Sequence, residues 1–134
     1  MTSIQALVGF TAWTLCLVTL VFLYRGLRFL GGTPINHWPR RLKPADDAAL
    51  VARIEDAHAN CLENLPIFAV IVLAAAALGR LGAVDALAPF VLYARIAQSL
   101  VHLSGVGPAQ VLVRAGFWAV QLVLFGWMML RLMV

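Results

Sequence analysis

Apolar residues fill this chain in four long tracts, while polar positions gather in three connections and in two stripes that cross the tracts. The first tract, "IQALVGFTAWTLCLVTLVFLY", exceeds the about 18 apolar residues that mark a membrane-spanning helix. It predicts a helix from Ile4 to Leu30, with Arg25 and Arg28 near its end. "GGTPINHWPRRLKP" follows, and its glycines, prolines and basic residues read as a solvent-side loop. Asp46 or Asp47 is placed to cap a second helix over residues 46–79. That helix would be roughly 50 Å long against a hydrocarbon thickness of roughly 30 Å, so its first turns project from the membrane. "GRLGAVD" connects to a third helix over 85–103, with Pro89 tolerated in its first turns, and "SGVGPAQ" leads into a fourth over 109–133. The expected fold is an all-α integral membrane protein, a single four-transmembrane-helix bundle over residues 1–134.

Composition agrees with a membrane domain: 63% of the residues are hydrophobic and 12% charged, and the mean hydropathy is +0.91. The net charge of +4 does not suggest a nucleic-acid partner, because Arg25, Arg28, Arg40, Arg41, Lys43 and Arg53 all flank the first connection. Arg114 follows the third connection, and only Arg80 and Arg131 lie at the other end. By the positive-inside rule the first and third connections face the cytoplasm in a multi-pass topology. "MTSIQ" lacks a basic segment ahead of its apolar tract, so the first helix is expected to be retained. Cys16 and Cys61 have neither disulfide-framework nor thiolate-metal spacing, and no metal site is expected.

In "RIEDAHANCLENLPIF", Arg53, Asp56, Asn60 and Glu63 recur at three- and four-residue steps and form a polar stripe on helix 2. Helix 3 carries a second stripe of Arg95, Gln98 or Ser99, and His102. A central Arg or Asp facing lipid costs at least about 2.5 kcal/mol, so both stripes should face protein or a water-filled cavity, and so meet. Glu63 is then the preferred partner of Arg95, at depths roughly 7 Å apart by helical rise. Pro66 frees the carbonyl of Leu62 and should bend helix 2 where the stripe ends.

At these residues the chain resembles the membrane-associated proteins in eicosanoid and glutathione metabolism. The resemblance rests on "AHANCLENLPIF" in helix 2, on "YARIAQSLVHLSGVGPAQ" across helix 3 and the next turn, and on the four-span layout. It implies a homotrimer that binds glutathione between subunits on the cytoplasmic side. Asn60, Glu63 and Arg95 match positions that hold glutathione or organise its pocket, and Arg25 or Arg28 matches an arginine near the end of helix 1. With Arg53 and His102 these form the expected cofactor-binding set. The chain departs from the family pattern where Asp56 and Ala59 stand in place of arginines, where His102 replaces a common tyrosine, and where Gln110 replaces an arginine implicated in thiolate stabilisation. Arg114, one turn beyond Gln110 on the same face, is placed to supply that charge. Arg95 and Arg114 are thus the expected catalytic cations.

Each of these residues also has a structural reading. Arg95 and Glu63 fit a packing ion pair, His58 and His102 fit interfacial or structural roles, and Arg25, Arg28 and Arg114 fit snorkelling anchors. Two functions follow. One is a glutathione-dependent transferase or peroxidase acting on lipophilic electrophiles delivered from the bilayer. The other is a non-catalytic member that binds a membrane lipid or a partner protein. A four-span multidrug exporter fits less well, because helix 1 carries no acid.

Overall fold

The computed structural model describes residues 1–39 and 42–134; Arg40 and Arg41, counted above for orientation, lie outside the described residues. Four helices dominate: α1 (Ser3–Leu30), α2 (Ala49–Ala77), α3 (Ala88–Ser104) and α4 (Pro108–Met133), with short 3-10 turns at Ile35–His37 and Leu81–Ala83. No strand occurs among the described residues. α1, α2 and α4 are long and apolar enough to cross a membrane. α3 has 17 residues, about 26 Å at helical rise. It packs against all three other helices, with α1 set against α2, and α4 against α3 and α2.

The helix ends explain the differences from the expected boundaries. Thr2 caps α1 in a reciprocal box with Gln5. At the far end Gly32 takes φ +100° and Thr33 N–H returns to the Arg28 carbonyl at 3.0 Å. α2 closes in the same way, with Gly79 at φ +66° and Arg80 N–H bonded to the Ala75 carbonyl at 2.8 Å. Both are glycine-dependent stops, because a side chain is disfavoured at positive φ. α2 begins after Ala48 with no side-chain cap, which corrects the expectation for Asp46 and Asp47. Those carboxylates turn instead to α1: Arg28 donates to both, at 2.6 Å each. His37 lies 3.0 Å from Asp46, and Trp38 Nε1 donates to Asp47 at 3.0 Å. The Arg28 guanidinium holds the Asp46 carboxyl below the usual carboxylate range. α2 runs unbroken through Pro66.

Asp85, expected to open the third helix, lies ahead of α3 and accepts from Ser3 N–H at 2.8 Å and Ser3 Oγ–H at 2.6 Å. The Ser3 hydroxyl and amide hold its carboxyl below the ordinary value of 3.8. A carboxylate depressed on folding contributes stability that is present above its unfolded pKa and lost as pH falls through its folded value. Thermal midpoints measured from about pH 6 down through about pH 3 should therefore fall less steeply for Asp85→Asn than for the wild type. Parallel curves would show that the contact contributes no pH-dependent stability.

The core is a row of aromatic rings flanked by small and branched side chains. Phe10 of α1 and Phe68 of α2 have centroids 5.9 Å apart, and Phe68 and Phe125 of α4 are 6.1 Å apart. Gly9 lets α1 approach α3, since a Cβ there would sit 2.8 Å from Leu92 Cδ2. Large apolar side chains such as Leu15, Phe22, Leu27, Val70, Leu112 and Val123 remain exposed, as expected of helices surrounded by lipid or by further copies. α3 carries the buried polar groups Arg95, Gln98, Ser99 and His102, each at most 4% exposed. Its central position shelters them from lipid.

Candidate functional site

The stripe of α2 and the stripe of α3 come together at His102 and Asn60, where Asn60 Nδ2 approaches His102 Nδ1 at 3.4 Å. The other ring nitrogen, Nε2, lies 4.0 Å from Asp56 Oδ2. Asp56 is paired with Lys43 of the first connection. A line of polar groups therefore leads from the connection through Asp56 and His102 to Asn60. Lys43 offsets the Asp56 carboxylate locally, which lessens the repulsion that an acid in place of an arginine would exert on an anion. Arg53 is committed to packing, its Nε donating to the Leu103 carbonyl at 2.9 Å.

Beyond Asn60 a recess of about 240 Å³ opens between α2, α3 and α4, lined by Asn60, Glu63, Gln98, Val111, Arg114, Ala115 and Trp118. Of the expected site residues it gathers Asn60, Glu63 and Arg114, and it adds Gln98. Neither Glu63 nor Arg114 takes part in an ion pair among the described residues. The Arg114 Nε is buried without a hydrogen-bond partner among the described residues. Gln110 does not line the recess; its amide lies back over the turn, where a Cβ at Gly107 would meet Gln110 Oε1 at 2.7 Å. The recess thus offers one carboxylate and one guanidinium outside any ion pair among the described residues, beside the side-chain amides of Asn60 and Gln98.

Arg95 is placed elsewhere, and the expected pair with Glu63 does not form. Glu63 lies on the exposed side of α2, whereas Arg95 is 0% exposed, with its guanidinium 5.4 Å from the centre of the Phe10 ring. All three of its side-chain nitrogens lack hydrogen-bond partners among the described residues. The cause is the phase of α2: its inward row is Ile54, Ala57, Cys61, Asn64 and Phe68, one residue along from the row of Asn60 and Glu63. Arg25 and Arg28 also stand apart from the recess. Arg25 pairs with Glu55 and Arg28 with Asp46 and Asp47, which ties the first connection to α1.

Two functional-site neighbours were not singled out from the sequence. Gln121 of α4 is fully buried and links Asn64 of α2 to Gln98 of α3. A lone carboxamide inside an apolar span is a recognisable signal, because such groups usually bond between helices. Near the first connection a second, mostly apolar recess of about 330 Å³ is lined by Phe22, Arg25, Gly26, Phe29, Ile35 and Trp38.

No curated protein and no solved structure matches the chain. A family model described as MAPEG family matches residues 3–134, essentially the whole length. Together with the helical bundle and its three membrane-length apolar helices, this match establishes that the chain is a membrane protein belonging to the MAPEG family.

Proposed function

We propose that the protein is a glutathione-dependent transferase or peroxidase that acts on lipophilic electrophiles, with the recess between α2, α3 and α4 as its thiol site. The observation that carries this reading is the pair of uncommitted opposite charges, Glu63 and Arg114, beside amide groups in an otherwise apolar bundle. Glutathione combines an ammonium group, two carboxylates, peptide bonds and an ionisable thiol; Glu63 suits the ammonium group, Arg114 suits one anionic group, and the amides suit the peptide bonds. Bound there, it would supply a thiolate that displaces a leaving group from an electrophilic carbon, or that cleaves a peroxide O–O bond to give an alcohol and a sulfenic acid, which a second glutathione then reduces with formation of the disulfide and water. Arg114 holds the negative charge on sulfur, the effect that makes a thiol nucleophilic at neutral pH. Glu63 receives the ammonium group, Asn60 orients the peptide, and Trp118 offers an apolar face to the second substrate.

Glu63 supports assembly into a homo-oligomer, with the trimer implied by the family resemblance as the expected form. It is exposed on the single chain, in the part of α2 that continues directly into an apolar run. Lipid contact there costs on the order of 3 kcal/mol for an ionised group, whereas a second copy or trapped water removes that cost. The excess of Lys and Arg around the first and third connections supports a cytoplasmic orientation for this end of the bundle.

Calorimetric titration of the purified protein with glutathione, followed by a conjugation assay with a chlorinated nitrobenzene, tests the reading. Saturable binding with turnover is the expected result. The lipid-binding alternative draws support from the apolar recess containing Arg25 and Trp38, which suits an amphiphile at the membrane surface. Stability unaffected by millimolar glutathione but raised by added phospholipid would favour that alternative.

A further inference from the structure

Asn64, Gln121 and Gln98 form a chain of carboxamides running from α2 through α4 to α3, and one backbone atom fixes its direction. Gln121 Nε2 lies 3.0 Å from the Phe117 carbonyl, which can only accept, so this end of the Gln121 amide must be the donor. The same nitrogen lies 3.0 Å from Gln98 Oε1. Gln98 is thereby held with its oxygen toward α4. At the other side Asn64 Nδ2 donates to Gln121 Oε1 at 3.4 Å. Gln121 is 0% exposed and Asn64 2%, so neither amide has water to compete for these bonds. Gln98 Nε2 makes no hydrogen bond among the described residues, and Gln98 lines the recess that Arg114 enters.

We propose that this polarised chain presents Gln98 Nε2 as a fixed N–H donor to the thiolate held beside Arg114, with Gln121 as the positioning residue behind it. The inference rests on the glutathione reading above and adds what orients the ligand. A fixed donor next to a guanidinium accepts an anionic atom and rejects an ammonium group, which is then directed to Glu63. An amide free to turn would present its oxygen as readily, and the discrimination would be lost. Hydrogen bonds to ionised groups are stronger than neutral ones, so the effect falls on the thiolate more than on the thiol.

The test compares wild type, Gln121→Met, Gln98→Met and the double variant, all as detergent-purified full-length protein. The readouts are glutathione affinity, the ultraviolet thiolate absorbance as a function of pH, and the affinity for S-methylglutathione, which cannot ionise at sulfur. Gln121→Met should weaken glutathione binding by about tenfold and move the midpoint of the bound thiol upward by roughly one pH unit, the scale of one lost bond to an ionised group. Its affinity for S-methylglutathione should stay within about twofold of wild type, and the double variant should be no worse than Gln98→Met, as expected when one residue acts through the other. A wild type that binds no glutathione overturns the cofactor reading and this inference with it. A wild type that binds, together with a Gln121→Met variant of unchanged thiol midpoint or with an equal loss for S-methylglutathione, overturns this inference alone.

Discussion

Replacing Arg95 with methionine is expected to raise the stability of the purified protein. The guanidinium is fully enclosed, none of its nitrogens has a hydrogen-bond partner among the described residues, and it lies over the face of Phe10. A desolvated cation over an aromatic ring gains about 2 kcal/mol, less than the several kcal/mol that taking an ion out of water costs. Methionine keeps most of the volume and removes the charge, and replacements of this kind stabilise by roughly 1–4 kcal/mol. Thermal unfolding in detergent checks it. A lower midpoint in the variant would mean that the guanidinium has a counter-charge in the assembled protein, and Glu63 would again be the first candidate. Thiol reactivity measured on the same variant separates a structural Arg95 from the catalytic one expected from the family resemblance.

Arg114→Ala should have the larger effect on chemistry. Arg114 lines the recess, and its Nε has no hydrogen-bond partner among the described residues. Removing a single preorganised charge or donor from such a site typically costs about 100- to 1,000-fold in turnover. The conjugation rate at saturating glutathione and neutral pH should drop on that scale, and raising the pH should restore part of it, because bulk hydroxide can then generate the thiolate without help. Arg114→Lys should retain an intermediate rate, since it keeps the charge but loses the planar fork. An unchanged rate in Arg114→Ala would remove Arg114 from the mechanism.

The elements are largely legible because length and apolar content decide them: the four helices lie within a few residues of their expected limits, α2 and α3 each starting about three residues later, at Ala49 and Ala88. The start of α2 was misjudged because a capping aspartate and an aspartate that binds Arg28 look alike in sequence. Only the fold brings α1 beside the first connection. The rotation of α2 was the harder matter. In a soluble helix the apolar face marks the core, but a membrane helix is apolar on every side, so Asn60 with Glu63 and Cys61 with Asn64 are rows that periodicity alone does not rank. The structure turns Asn64 inward to Gln121 and leaves Glu63 facing the recess beside α4. That shift of one residue, a rotation of about 100°, separates Glu63 from Arg95 and leaves it beside Arg114 in the recess.

The most direct measurement is the ultraviolet difference spectrum of the protein saturated with glutathione at neutral pH, recorded for wild type and for Arg114→Ala. The account predicts a thiolate band in the wild type that is lost in the variant. No thiolate band in a saturated wild type, or a band of equal strength in both proteins, would contradict it.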